Sequence, residues 1–307
     1  MRTTFIETLL QEAERDERIW LLTADLGYSV LEPFAARFAD RYVNVGVAEQ
    51  NLIGVAAGLA HSGVRPFVYS IANFPTLRCF EQIRNDVCYH HANVTIVAVG
   101  GGLAYGAQGY THHGVEDLAV MRALPGMTVV APGDPVETRL ATRALCKADG
   151  PKYLRLGKAK EPVVHSSEPL FTLGKAIWLR PGKDLTIVST GAMLADAVAA
   201  ADELARDGIQ AGVLSMPTLK PFDAEAVVHA AKQSGTVLTV EEHSVTGGLG
   251  TASAEALFEA GVPVCFRKMG IPDRPYHLIG SQGFLKQRLI GNIAQAAREL
   301  IGRRAVA

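Results

Sequence analysis

Short runs rich in Val, Ile and Leu alternate with helical patterns along nearly the whole chain, and that rhythm leaves few architectures open. Strands are expected over 19–23, 66–69, 94–99, 128–131 and 153–156, and a second set over 185–189, 211–215, 236–240 and 264–267. Helices are expected between them, for example over 48–61, 73–90, 135–147, 194–207 and 224–232. Strand–helix alternation of this kind builds mainly parallel sheets with helices on both faces. The expected fold class is therefore α/β, with two doubly wound domains. Between 157 and 179 the periodicity fades into a polar connection holding Lys158, Lys160, Pro162, His165, Ser166 and Ser167. The domains are accordingly expected at 1–165 and 175–307, each large enough for one core.

Composition narrows the function classes. Hydrophobic residues make up 48% of the 307 and charged residues 20%, the profile of a globular chain with a full core. The net charge is -1 and no block of like charges occurs, so electrostatics gives no reason to expect a nucleic-acid or membrane partner. The opening Met1-Arg2-Thr3-Thr4-Phe5 leads into an amphipathic stretch without an apolar signal core. No apolar run reaches the roughly 18 residues that a membrane span needs. Cys79, Cys88, Cys146 and Cys265 lack any C-x-x-C spacing, so neither zinc nor a disulfide framework is expected, and a reducing cytoplasm fits.

Sheets of this kind bind ligands beyond the carboxyl ends of their strands, which directs attention to the segments that follow strands. In the segment 44–59, Glu49 opens a helix that is otherwise nearly all apolar, with Gly54 and Gly58 one turn apart for close packing. A carboxylate there gains from the helix dipole but is poorly solvated; a first-turn Glu turned to solvent is an equally open reading on spacing alone. In 66–76 a buried-looking strand runs into Phe74, whose ring could stack on a flat heterocycle or belong to the core. The segment 100–117 carries six glycines and the adjacent His112 and His113. Glycine permits close backbone approach to a ligand, and histidine suits proton traffic near neutral pH. Without nucleotide-loop spacing, this is weak evidence for a nucleotide. Arg155 and Lys158 end the last strand of the first half, where a cation could meet a phosphorylated substrate or simply face water.

In this order and spacing the segments resemble the pyrimidine-binding half of the transketolase family, from the opening helix and Ala24-Asp25-Leu26 through to 184–191 and 240–250. The resemblance implies a thiamine-diphosphate enzyme. Glu49 falls on the family glutamate that contacts the pyrimidine ring nitrogen and favours its imino tautomer, so that the cofactor carries the hard step. Phe74 and Ile71 fall on the wall beside that ring. His112 falls on the histidine of the family's Thr-His pair, which contacts the substrate near its reacting carbonyl and would stabilise an alkoxide or move a proton. Ser29 falls on a substrate-phosphate serine and Lys158 on a phosphate-binding arginine. The implied reaction moves a two-carbon ketol unit from a ketose to an aldehyde.

Three departures from the family are visible. Gln108 stands where transketolases carry a hydroxyl-reading aspartate, Gly100 where they carry a phosphate-contacting histidine, and Lys158 keeps the charge of an arginine without its bidentate geometry. The substrate is therefore expected to differ from the standard pentose phosphates. The family's diphosphate half holds Mg2+ with a Gly-Asp-Gly motif. This chain has none, and its Gly133-Asp134 lies between prolines. No metal ligands are expected here; the metal is expected on a separate N-terminal subunit, in a heterotetramer, with sugars or sugar phosphates as the other partners. Met1 stands just ahead of the pyrimidine domain, as in a separate gene product. Rival readings are a deoxyxylulose-phosphate synthase relative, which normally carries both halves on one chain, and the β chain of a 2-oxo acid dehydrogenase, which Thr111-His112-His113-Gly114 argues against. A non-catalytic regulatory subunit has no need of Glu49, Phe74 and His112 together. The turn Thr246-Gly247-Gly248-Leu249-Gly250 offers a helix N-terminus to an anion, or serves helix packing.

Overall fold

Every strand expected above forms in the protein, whose computed structural model describes residues 1–304. The strands are β1 (Ile19–Thr23), β2 (Tyr42–Asn44), β3 (Arg65–Ile71), β4 (Thr95–Val99), β5 (Thr128–Val130), β6 (Lys152–Leu156), β7 (Ile177–Arg180), β8 (Leu185–Ser189), β9 (Ala211–Ser215), β10 (Thr218–Lys220), β11 (Thr236–Ser244) and β12 (Cys265–Ile271). They make two sheets, ordered β10-β5-β6-β4-β3-β1-β2 and β12-β11-β8-β9-β7. All pairings are parallel except β10 with β5 and β7 with β9. The strands β4, β6, β8 and β9 are buried at every position, as expected where helices cover both faces of a parallel sheet.

The strands that the sequence pattern does not announce are β2, β7 and β10, each three or four residues long. The last of these ties the two halves together. Thr218 pairs with Val130 and Lys220 with Val129, so the first sheet takes its edge strand from the second half of the chain. Lys220 Nζ also donates to the carbonyl of Arg122 at 2.9 Å. One apolar cluster runs from Leu52, Ile53 and Val68 of the first half to Val188, Leu214 and Leu249 of the second. Between β6 and β7 the chain forms no strand or helix. The connection is nonetheless pinned: Asp134 accepts from the backbone N–H of Val164 and His165, and Glu137 bonds the His165 ring at 2.8 Å.

The helix expected over 73–90 is broken. It starts at Phe74–Leu77, resumes at Phe80–Gln82 and ends in a π-helical turn over Ile83–Cys88. At the break Cys79 is fully buried and leaves the helical region, with its thiol directed at the carbonyl of Phe74. This bend sets Arg78 at the junction, next to the start of the Glu49–His61 helix.

Candidate functional site

Two elements bring the first group of candidate residues together. The Glu49–His61 helix starts with Glu49, and β3 ends at Ile71 just ahead of Phe74. Glu49 is 6% exposed, so the solvent-facing reading does not hold. It is not isolated either, because Arg78 Nη1 donates to its Oε1 at 3.0 Å. The same guanidinium lies over the Phe74 ring, 4.1 Å from its centroid, in cation–π contact. Glu49 Oε2 has no protein partner among the described residues. Ile71, half-buried, closes β3 opposite Val99.

The second group comes from the loop after β4. The His112 ring approaches Phe74 edge-on, with centroids 5.3 Å apart. Its Nδ1 shares a hydrogen bond of 3.0 Å with the Thr111 hydroxyl, and the Thr111 carbonyl accepts from Asn73 Nδ2. Asn73 Oδ1 is buried without a partner among the described residues. Tyr105 lies 6.3 Å from His112, centroid to centroid, and Lys158 Nζ rests 4.3 Å from the Tyr105 centroid. A continuous series therefore runs from Glu49 through Arg78, Phe74, His112 and Tyr105 to Lys158. Ser29 and Gln108 are exposed, and their side chains make no hydrogen bond among the described residues. Ser29 adopts a positive φ of 64°, and its N–H donates to Glu32 at 2.7 Å.

The glycines of 100–114 are occupied largely by the protein itself. Gly100 has φ 74°, and a side chain there would collide with the Tyr105 ring. A side chain at Gly101 would meet Arg155, at Gly102 Glu242, and at Gly114 Ala72. The close approaches expected toward a ligand are made instead to neighbouring side chains. A side chain added at Gly54 or Gly58, expected to serve close helix packing, would meet nothing within 4 Å among the described residues.

Arg155 does not face water. It is buried beside Asp117, with Nε 2.9 Å from Oδ2, and it donates to the carbonyls of Gly114 and Glu242. The Tyr153 hydroxyl reaches the same carboxylate oxygen at 2.6 Å. The β6 alternation turns Arg155 inward, and a buried guanidinium persists only with such partners. Around it lies a polar seam between the halves. Glu242 accepts from the Leu103 N–H and from Gln282; His243 Nδ1 donates to the Ser244 carbonyl while Nε2 accepts from Ala119 N–H. Burial pushes His243 down to about 4 and Glu241 up to about 7. Glu241 accepts from the N–H groups of Leu249 and Gly250, at 2.7 and 2.8 Å. The helix N-terminus of the glycine turn is thus taken by the chain's own carboxylate.

Three residues at the site carry no prediction from sequence. Arg78 follows Phe74 by four positions, a spacing that would have placed it on the same helix face. Tyr105 is the counterpart of Gly100, and only their packing reveals it. Arg2, half-buried at the start of the first helix, lies close enough to Tyr69 and Tyr105 for its charge to oppose the upward push that burial gives both phenols. Among the described residues no group of three or more His, Cys, Asp or Glu is placed to hold a metal ion, and no helix is long and apolar enough to cross a membrane.

Known proteins match along the whole arrangement. The sequence model of the transketolase pyrimidine binding domain matches residues 1–162, and that of the transketolase C-terminal domain matches 174–283. A 6-deoxy-6-sulfo-D-fructose transketolase subunit from Clostridium sp. (strain MSTE9) is 42% identical, covering 99% of this chain and 95% of its own. An apulose-4-phosphate transketolase subunit from Phocaeicola vulgatus is 44% identical, covering 89% and 87%. A solved structure described as a split gene transketolase, inactive β4 tetramer, superposes with a TM-score of 0.88 at 39% identity, covering 98% of this chain and 97% of that one.

Proposed function

The chain belongs to the transketolase family, and we propose that it is the pyrimidine-binding subunit of a split transketolase that transfers a two-carbon ketol unit from a ketose to an aldehyde. The observation that carries this reading is the series Glu49, Phe74, His112: a buried carboxylate with one open oxygen, an aromatic wall and a histidine, joined on one face. The residues fit thiamine diphosphate. Glu49 Oε2 is free to meet a ring nitrogen, Phe74 and Ile71 offer apolar contact, and the orphaned Asn73 Oδ1 leaves an acceptor unfilled beside them. When bound, the cofactor supplies the nucleophilic carbon that the protein lacks.

The chain's own part is positioning and proton handling. Glu49 holds the pyrimidine by its ring nitrogen, and Phe74 and Ile71 fix the plane of the ring. His112, oriented through Thr111, moves a proton at the reacting oxygen or donates to it. Tyr105, flanked by Lys158 and Arg2, forms the distal end, where two cations suit a substrate with an anionic terminus. Ser29 and Gln108, both exposed, are the further substrate contacts that the family resemblance implies. The departures at Gly100, Gln108 and Lys158 give this end a character of its own, and the two relatives named above act on sugars bearing a sulfonate or a phosphate.

The diphosphate and its Mg2+ belong to an N-terminal partner subunit, in a heterotetramer. Exposed Gly54 and Gly58 support this, since a helix face with room for close packing finds no mate among the described residues. The domains divide at 1–165 and 175–307, and the unpaired cysteines suit the cytoplasm. The test is reconstitution with the partner, followed by a screen of ketose donors against aldehyde acceptors. Two-carbon transfer supports the proposal. Pyruvate decarboxylation without ketose turnover would overturn it.

A further inference from the structure

We propose that Arg78 is a positioning residue for the cofactor site, holding the Glu49 carboxylate and the Phe74 ring in one fixed relation. The proposal rests on the functional reading above and adds a residue to it. Three contacts carry it. Arg78 Nη1 donates to Glu49 Oε1 at 3.0 Å, its guanidinium lies 4.1 Å from the Phe74 ring centroid, and its backbone carbonyl accepts from Gln50 Nε2 at 3.1 Å. One residue is thus tied to the carboxylate, to the aromatic wall, and to the residue next to Glu49.

The division of the carboxylate is the informative part. Arg78 takes one oxygen and leaves Oε2 without a partner among the described residues, so it orients Glu49 without using up its capacity to bind. A carboxylate this buried, with a single charged donor, loses its preferred orientation when that donor is removed. Phe74 would at the same time lose the cover on one face. Arg78 stays in the helical region just ahead of the break at Cys79, four positions after Phe74, so its side chain lies on the Phe74 face and meets the start of the Glu49–His61 helix.

A flat, hydrogen-bonding cation stacked on Phe74 also resembles an aminopyrimidine in shape. If Arg78 held the cofactor's own seat, its removal would strengthen binding. Positioning demands the opposite. The experiment is calorimetric titration of thiamine diphosphate, with excess Mg2+, into the reconstituted pair carrying wild-type chain, Arg78→Ala, Arg78→Lys, Glu49→Gln or the Glu49→Gln/Arg78→Ala double variant. Melting curves of each free subunit check folding. The expected result is about tenfold weaker binding for Arg78→Ala, partial recovery with lysine, and little further loss when Arg78→Ala is added to Glu49→Gln. A merely structural role would give the same loss in both backgrounds and would overturn the proposal. Unchanged or tighter binding by Arg78→Ala would overturn it too. Absence of binding by the wild-type pair would instead remove the functional reading on which it stands.

Discussion

The chain carries two polar clusters of opposite kinds. In the seam between its halves, Asp117, Arg155, Glu241, Glu242 and His243 are buried. Among the described residues both carboxylate oxygens of Glu241 and Glu242 and both ring nitrogens of His243 are used within the chain, while Asp117 Oδ1 is left without a partner. On the face built by Glu49, Phe74 and His112, the same chemical types keep open valences: among the described residues Glu49 Oε2 and Asn73 Oδ1 lack partners, and Lys158 rests against the Tyr105 ring without an ion pair. A satisfied polar cluster fixes structure, while an unsatisfied one waits for a ligand. Conspicuous residue types alone do not separate the two. Arg155 and the glycine turn at 246–250 have the chemistry of an anion site and are engaged internally.

Substitutions should divide along that line. The largest effect is expected from Glu49→Ala in the reconstituted pair, where turnover should fall about 10³-fold or more, as for loss of a group acting on the reacting centre. Thermal stability should barely move, because half-exposed Arg78 can turn to water. His112→Ala should cost about 10²–10⁴-fold in kcat with similarly intact melting. If either variant melted much lower, the open face would be a second structural seam.

The seam should behave in reverse. Asp117→Ala leaves the Arg155 guanidinium buried without its counter-charge and should cost about 3–5 kcal/mol in denaturant unfolding, with cofactor affinity of the folded fraction retained. A milder change sharpens the electrostatics. Burial holds His243 neutral down to about 4 against an ordinary 6.5, so between those values the unfolded chain binds the extra proton and stability rises with pH. Glu241, raised to about 7, works oppositely: between 4.5 and 7 the folded state holds the extra proton, and stability falls as pH rises. In the native chain the two slopes oppose each other. His243→Gln should remove the rise and leave a net fall from pH 4.5 to 7, of up to about 3 kcal/mol, measured by unfolding across that range. The smallest effect is expected at Lys158→Met, where KM for an anionic substrate should rise about tenfold with kcat little changed.

The sheets were legible because β-branched runs mark buried parallel strands whatever lies around them. The edge strand β10 was not, since Thr218-Leu219-Lys220 carries no pattern and owes its pairing to a tertiary contact with β5. The break at Cys79 is likewise a tertiary effect, driven by burial rather than by proline or glycine. Glu49, Phe74 and His112 stand out through the resemblance to the transketolase family, while spacing alone leaves each of them open, and the structure joins them into one series. Arg78 escapes notice because its partner Glu49 is 29 positions earlier, and Arg155 is misread because Asp117 is 38 positions earlier. Sequence spacing reports neighbours along one element; it is silent on partners brought together by packing.

The central claim is that this chain holds only half of a cofactor site. Its most direct test is titration of thiamine diphosphate, with Mg2+, into the purified chain alone and then into its mixture with a partner that carries the Gly-Asp-Gly diphosphate half. The account predicts tight, Mg2+-dependent binding in the mixture and none of comparable strength in the chain alone. Equally tight binding by the chain alone would contradict it.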